Sequence, residues 1–256
     1  MRYAVKLAYD GGPFSGWQKQ PGCVTIQGVL EEALEAFCHE KPVVHGAGRT
    51  DKGVHALGQV ASFDLTSDKT AKTVLLAANA HLPQHVRVMD VTFVDTSFHA
   101  RYRAVWREYV YHVWMGGACY PQIKPYVWWN GRRRWDMDRI REACRRFTGT
   151  HDFGAFCRAS ERPENSERTI YSMTVASRGP LVRFRVRGNA FLTNMIRIMI
   201  GTIDKTGTGE WPLDIIDSLL KGSDRTEAGP TAPAEGLTLQ RVGYEALRWP
   251  GRSFLR

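Results

Sequence analysis

The chain's five cysteines (Cys23, Cys38, Cys119, Cys144 and Cys157) include no Cys-x-x-Cys pair, and their number is odd and their spacing wide. That excludes a disulfide framework and a zinc-ligand pattern, and a reducing cytoplasmic setting is expected. No run approaches the roughly 18 apolar residues of a membrane helix. Met1-Arg2-Tyr3 leads directly into strand-like alternation without an apolar signal core, so neither export nor membrane insertion is expected. Low-complexity tracts and short-period repeats are missing too. Acidic residues are in deficit: 26 Asp and Glu face 35 Lys and Arg, a formal net charge of +9. That balance favours a polyanionic partner, nucleic acid ahead of an acidic membrane surface.

What the chain does have is core and rings. Its 256 residues, 43% of them hydrophobic, suffice for one large or two medium domains. Rings interleaved with surplus cations suit unpaired bases, although packing claims most of them. Arg2 to Tyr9 alternates as a strand into the turn Asp10-Gly11-Gly12-Pro13. Thr25 caps a helix whose apolar stripe runs Ile26, Val29, Leu30, Ala33, Leu34 and Phe37. Strands on either side of residues 46–56, a helix from Thr70 to about His81 and a strand from Val86 to Val94 follow. This β-α-β-β-α-β-like half is expected to form a domain over residues 1–104.

Val105 to Trp114 reads as a long strand with Arg107, Tyr109 and Tyr111 on one face. After the triplet Arg132-Arg133-Arg134, Asp136 caps a helix that turns Met137, Ile140, Ala143, Cys144 and Phe147 inward. Residues 169–175 and 181–187 form a hairpin around Ser177-Arg178-Gly179-Pro180. Its second strand sets Val182, Phe184 and Val186 against Arg183, Arg185 and Arg187, a cationic face that suits solvent and nucleic acid equally. Residues 105–256 are expected to form a second domain that echoes the first.

Two residues stand apart chemically. Gly46 to Ala56 reads Gly-Ala-Gly-Arg-Thr-Asp-Lys-Gly-Val-His-Ala and places Asp51 in a polar, glycine-rich turn between apolar strand segments. Loops on rigid strands commonly carry function, although Gly-Arg-Thr-Asp alone also suits an ordinary surface hairpin. From Leu192 to Ile203 the chain is apolar on nearly every side except at Arg197, so the helix expected there is interior. A guanidinium keeps its proton, so Arg197 must either snorkel to solvent or meet a carboxylate, for which Asp51 is the candidate.

Taken in order, several motifs match one family. They begin with Tyr9-Asp10-Gly11, Phe14 and Gly16-Trp17-Gln18, then Gly48-Arg49-Thr50-Asp51 with Gly53-Val54-His55-Ala56, and Phe98-His99-Ala100-Arg101. Arg107 with Tyr109 and Tyr111, His151-Asp152-Phe153, Asn189-Ala190-Phe191 with Met195-Ile196-Arg197, and Ala234-Glu235-Gly236-Leu237 complete the set. Along nearly its whole length the chain resembles the TruA family of tRNA pseudouridine synthases. The resemblance implies an α/β fold of the α+β type: two similar α/β halves around a continuous, mainly antiparallel mixed sheet with a basic central cleft. It implies isomerisation of uridine to pseudouridine at tRNA positions 38, 39 and 40 in the anticodon stem-loop, a homodimer, and no metal or organic cofactor. Carried over by position, Asp51 is the nucleophile and Arg197 its partner. Tyr109 packs on the target uracil, and Arg49 helps to expel the base from its stack. Lys52 and Ile196 depart mildly from the family pattern, and residues 116–135 and 158–168 align least.

The chemistry suits these residues. Uridine and pseudouridine are isomers, so a C–N bond breaks and a C–C bond forms without net oxidation or hydrolysis. A carboxylate attacks without a base to activate it, either at uracil C6 or at the anomeric carbon, and both routes stay open. The base must leave its stack at a cost of a few kcal/mol, and Tyr109 offers it a flat partner. Arg101, Arg103 and the Arg183, Arg185 and Arg187 face are candidates for phosphate. A non-catalytic RNA-binding module would share the charge and rings without needing Asp51, and a synthase acting on another RNA would share everything. A carboxylate hydrolase would need a second acid, and Glu108 points opposite Tyr109 in an alternating strand.

Overall fold

The computed structural model describes residues 1–131 and 134–249, so Arg132 and Arg133 of the basic triplet lie outside the described residues. The chain divides into two compact units, Met1–Val105 joined by the chain from Leu239 onward, and Trp106–Thr238.

The first unit runs β1 (Arg2–Tyr9), α1 (Ile26–Cys38), β2 (His45–Gly46), β3 (His55–Asp64), α2 (Ala71–His81) and β4 (Val86–Phe93), the order expected from periodicity. β1 pairs antiparallel with both β3 and β4, Val5 lying opposite Ala61 and Val91. α1 starts where the buried Thr25 hydroxyl accepts from the Gly28 N–H at 3.2 Å. That bond satisfies one open donor of the first turn, so Thr25→Ala is expected to lower unfolding free energy by about 1 kcal/mol. The check is a lower urea midpoint at unchanged slope.

β2 spans only His45–Gly46 and leaves the apolar Val43 and Val44 outside it. The reason is that α1 takes the Val44 backbone: its N–H donates to Glu31 Oε1 at 3.1 Å, and its carbonyl accepts from Gln27 Nε2 at 3.2 Å. Just past α1, the Glu40 carboxylate accepts from the Thr66 and Ser67 N–H groups at 2.7 and 3.0 Å. Those donors hold its pKa down at about 2. A carboxyl depressed by folding stabilises above its unfolded value, about 4.3, and loses that contribution as pH falls through the folded value. Glu40→Gln is therefore expected to lower the urea midpoint at pH 6, with the deficit narrowing steadily below about pH 4.

The second unit contains β5 (Trp106–Trp114), β6 (Trp128–Trp129), α3 (Met137–Arg146), β7 (Gly149–Asp152), β8 (Glu167–Arg178), β9 (Leu181–Gly188), α4 (Met195–Gly207) and α5 (Ile215–Leu219). β5, β9, β8 and β7 are antiparallel neighbours in that order, with Tyr109 opposite Val186 and Val186 opposite Met173, while β6 runs parallel to β5. Tyr111, Phe184 and Val186 are buried on one sheet face, where Trp135 meets Phe184 edge-on at 5.8 Å. The Asp136 carboxylate caps α3, accepting from the Asp138 and Arg139 N–H groups at 2.9 and 3.2 Å. The hairpin is tighter than read from sequence: the ladder reaches Arg178 opposite Leu181, leaving Gly179-Pro180 as the turn. α4 starts later than its apolar run, because Asn194 adopts a left-handed conformation (φ 65) just before Met195.

β10 (Leu237–Gly243) begins in the second unit and ends in the first. A Cβ on Gly58 of β3 would lie 2.5 Å from the Gln240 carbonyl oxygen, and the Val105 N–H donates to the Gly243 carbonyl at 2.8 Å. Val242, Tyr244, Leu247 and Trp249 cover the buried Ala47, Val60 and Ala100. The first unit ends one residue past the division expected at residue 104, and residues 239–249 add apolar cover to its β3. Both units are mixed α/β with mainly antiparallel strands. No helix among the described residues is long and apolar enough to cross a membrane.

Candidate active site

Asp51 is half-buried in the loop between β2 and β3. The Val54 N–H closes a turn onto the Asp51 carbonyl at 3.1 Å, with Gly53 at φ 81, a left-handed position that favours glycine. Gly46 and Gly48 have no positive φ, and a Cβ on Gly46 would fall 2.5 Å from the Trp17 ring.

The chain that follows β1 buttresses this loop, a role that sequence reading did not assign to its motifs. The Trp17 N–H donates to the Thr50 carbonyl at 3.0 Å, the Tyr9 and Thr50 hydroxyls share a 2.8 Å bond, and Gln59 Nε2 donates to the Gly48 carbonyl at 2.8 Å. Tyr9, Trp17, Thr50 and Gln59 are all buried, so these bonds form away from competing water. Gly16, at φ 93, passes so near that a Cβ would stand 2.8 Å from the Thr50 carbonyl oxygen. At the loop's exit the Gly11 N–H donates to Nδ1 of buried His55 at 3.1 Å, and the same nitrogen lies 3.2 Å from Asp10 Oδ1. Arg49 is exposed; its Nε donates to Gln18 Oε1 at 3.1 Å, and Gln18 Nε2 donates in turn to Gln27 Oε1 of α1 at 2.8 Å. The spacing of Tyr9-Asp10-Gly11 and Gly16-Trp17-Gln18 was visible in sequence, but these long-range bonds were not.

In the second unit, Tyr109 is 7% exposed and meets Phe191 edge to face, ring centroids 5.2 Å apart at 80°. Arg107 Nη1 donates to the Asn189 carbonyl at 2.7 Å, while Asn189 Oδ1 accepts from the Thr169 and Ala190 N–H groups at 3.0 and 2.7 Å. Asn189-Ala190-Phe191 is thus a fixed support for the Tyr109 ring. Tyr111 is structural: its buried hydroxyl donates to the Pro233 carbonyl at 2.8 Å, and burial pushes its pKa well above that of an ordinary phenol.

Arg197, half-buried in the first turn of α4, is aimed rather than trailing into solvent. Its Nε donates to the Ala232 carbonyl at 2.7 Å and its Nη1 to Asn194 Oδ1 at 2.9 Å, and the Ala232 N–H returns a bond to the Arg197 carbonyl at 3.1 Å. Glu108 lies on the opposite sheet face from Tyr109, buried, with its Oε2 accepting from Arg187 Nη2 at 3.0 Å. The Arg187 guanidinium also covers Trp106 at 4.2 Å. Glu108 is therefore committed to an ion pair and is no second acid for hydrolysis.

The Asp51 loop lies in the first unit, and Arg197 and Tyr109 lie in the second; the class of protein comes from its relatives. The sequence profile for tRNA pseudouridine synthase matches residues 6–103 and 143–245. The chain is 43% identical over 240 residues to a tRNA pseudouridine synthase A of Geobacillus kaustophilus, covering 93% of each chain. It is 41% identical over 247 residues to that of Paramagnetospirillum magneticum, 96% of each. For Clostridium kluyveri the figures are 39% over 238 residues, 93% of this chain and 97% of the relative. The chain belongs to the tRNA pseudouridine synthase family.

Proposed function

We propose that this protein converts uridine to pseudouridine at positions 38, 39 and 40 in the anticodon stem-loop of tRNA, with Asp51 as nucleophile. The observation that carries the reading is the bracing of the Asp51 loop by Tyr9, Trp17 and Gln59, which spends buried hydrogen bonds on holding one exposed-edge carboxylate in place. Asp51 attacks uracil C6 or the anomeric carbon, the glycosidic C–N bond breaks, and the base turns. A bond then forms from C5 to the anomeric carbon, the C5 proton leaves to solvent, N1 takes up a proton from solvent, and the carboxylate is regenerated. Arg197, aimed by Asn194 and Ala232, serves as the partner of Asp51. Tyr109, braced by Phe191, packs on the extruded uracil and returns about 1–3 kcal/mol of stacking against the unstacking cost. Arg49, guided by Gln18, helps to expel the base. The protein works in the cytoplasm as a homodimer without metal or organic cofactor.

The test is tritium release from tRNA transcripts labelled at uridine C5, with uridine retained in turn at only one of the three positions. Release from those transcripts supports the reading. Release only from uridines elsewhere makes it a synthase of another site, and tight binding without release makes it an RNA-binding module. Light scattering checks the homodimer as a mass of twice 29.0 kDa.

A further inference from the structure

The β5, β9 and β8 sheet has a second face, opposite the one that carries Tyr109. There the ladder sets Glu108 against Arg187, Val110 against Arg185 and His112 against Arg183, and continues onto Ser172, Thr174 and Ala176 of β8. Arg187 is neutralised by Glu108 and lies over Trp106, so it leaves the triple-arginine set. Arg183 and Arg185 are exposed and form no ion pair among the described residues. Exposed Arg178 extends the same charge at the hairpin tip. His112 adds no cation, because burial and the nearby Arg183 both hold its pKa below the usual histidine value.

Two exposed arginines on α3 of this unit are treated differently. Arg141 and Arg145 on α3 hold Asp138 and Glu142 at 2.7 and 2.6 Å. Like charges two residues apart on a strand, about 6.8 Å, repel each other. A chain of phosphates relieves that repulsion, and the spacing is of the order of one nucleotide step.

We infer that the Arg178, Arg183 and Arg185 face is a docking surface for the phosphodiester backbone of the tRNA, at nucleotides away from the uridine that reacts. Naming tRNA rests on the proposed function; the surface itself rests on charge left uncompensated on the sheet face that Tyr109 does not occupy.

The experiment compares two double variants that each remove two positive charges from this unit: Arg183→Ala with Arg185→Ala, and Arg141→Ala with Arg145→Ala. Affinity for full-length tRNA is measured between 50 and 200 mM KCl, a range of roughly the span over which phosphate contacts dominate. The first double variant is expected to bind roughly tenfold more weakly at low salt, with the slope of log K against log salt shallower by about 2. The second is expected to match the unaltered protein. Lysine at positions 183 and 185 is expected to restore the slope, and a minimal anticodon stem-loop to show a smaller loss. Equal losses in both double variants, an unchanged slope, or an equal loss with the stem-loop overturns the surface. Retained tRNA binding with lost binding to phosphatidylglycerol vesicles assigns it to membrane instead. A protein that binds tRNA without releasing tritium would still show the slope change, so this inference and the isomerase reading fail separately.

Discussion

Asp51→Asn is expected to abolish tritium release from C5-labelled tRNA, a fall of about ten-thousandfold or more in single-turnover rate, with tRNA affinity nearly unchanged. An amide matches the carboxylate in size and still accepts hydrogen bonds, but it cannot serve as the attacking anion. The bonds that shape the loop leave from Trp17, Tyr9 and Gln59 and end on Thr50 and Gly48, so the loop's conformation does not depend on the Asp51 carboxylate oxygens for them. Affinity for a tRNA comes mainly from phosphate contacts, to which one acid contributes no attraction. The readout is a rate measured with enzyme in excess, beside a melting curve for each protein. Release at more than about a hundredth of the normal rate would remove Asp51 as nucleophile, since transition-state electrostatics alone would then explain its effect.

Where local chemistry sets an element, sequence alone located it. Thr25 and Asp136 cap their helices through side chains that reach only two or three residues ahead, and β1, α2 and β4 follow from periodicity. Misreadings occurred where distant groups decide. Val44 looks like a strand residue, yet its backbone belongs to Gln27 and Glu31. Leu192 looks like the first turn of α4, yet its hydrophobicity reports burial, and Asn194 starts the helix three residues before Arg197.

In the candidate site, Asp51 stands out in sequence because a charged, glycine-rich turn between apolar strands is conspicuous, while Arg49 enters only through the family resemblance. Arg197 was legible as a cation in an apolar helix, and its acceptor Asn194 lies only one turn back. The Ala232 carbonyl, 35 residues along the chain, carries no sequence signal at all. The pairing of Arg187 with Glu108 was equally hidden: alternation put Arg187 on a cationic face, and only the strand register shows that its charge is already matched.

That distant carbonyl leads to the largest stability effect. Gly201→Ala would stabilise an exposed helix by about 1 kcal/mol, since alanine is the better helix former. At Gly201 of α4 the sign reverses, because a Cβ would lie 1.8 Å from the Pro230 carbonyl oxygen and 2.9 Å from its carbon. The obstacle is backbone, so no rotamer change relieves it, and overpacking of this kind costs about 1–3 kcal/mol. The segment cannot retreat freely. The Gly229 N–H donates to the buried Thr202 Oγ1 at 3.0 Å, and Ala232 and Arg197 exchange two bonds. Pulling residues 229–232 off the helix leaves the Thr202 site unsatisfied, adding about 1–3 kcal/mol. The expected net loss is about 2–4 kcal/mol, read from the urea midpoint. The same displacement removes one acceptor from the Arg197 guanidinium, so the folded variant is also expected to isomerise uridine about tenfold more slowly at saturating tRNA, as a small misplacement of an orienting group does. Unchanged stability would show that residues 229–232 do not press on α4. Lost stability with a normal rate would show that the Ala232 carbonyl does not orient Arg197 for the reaction.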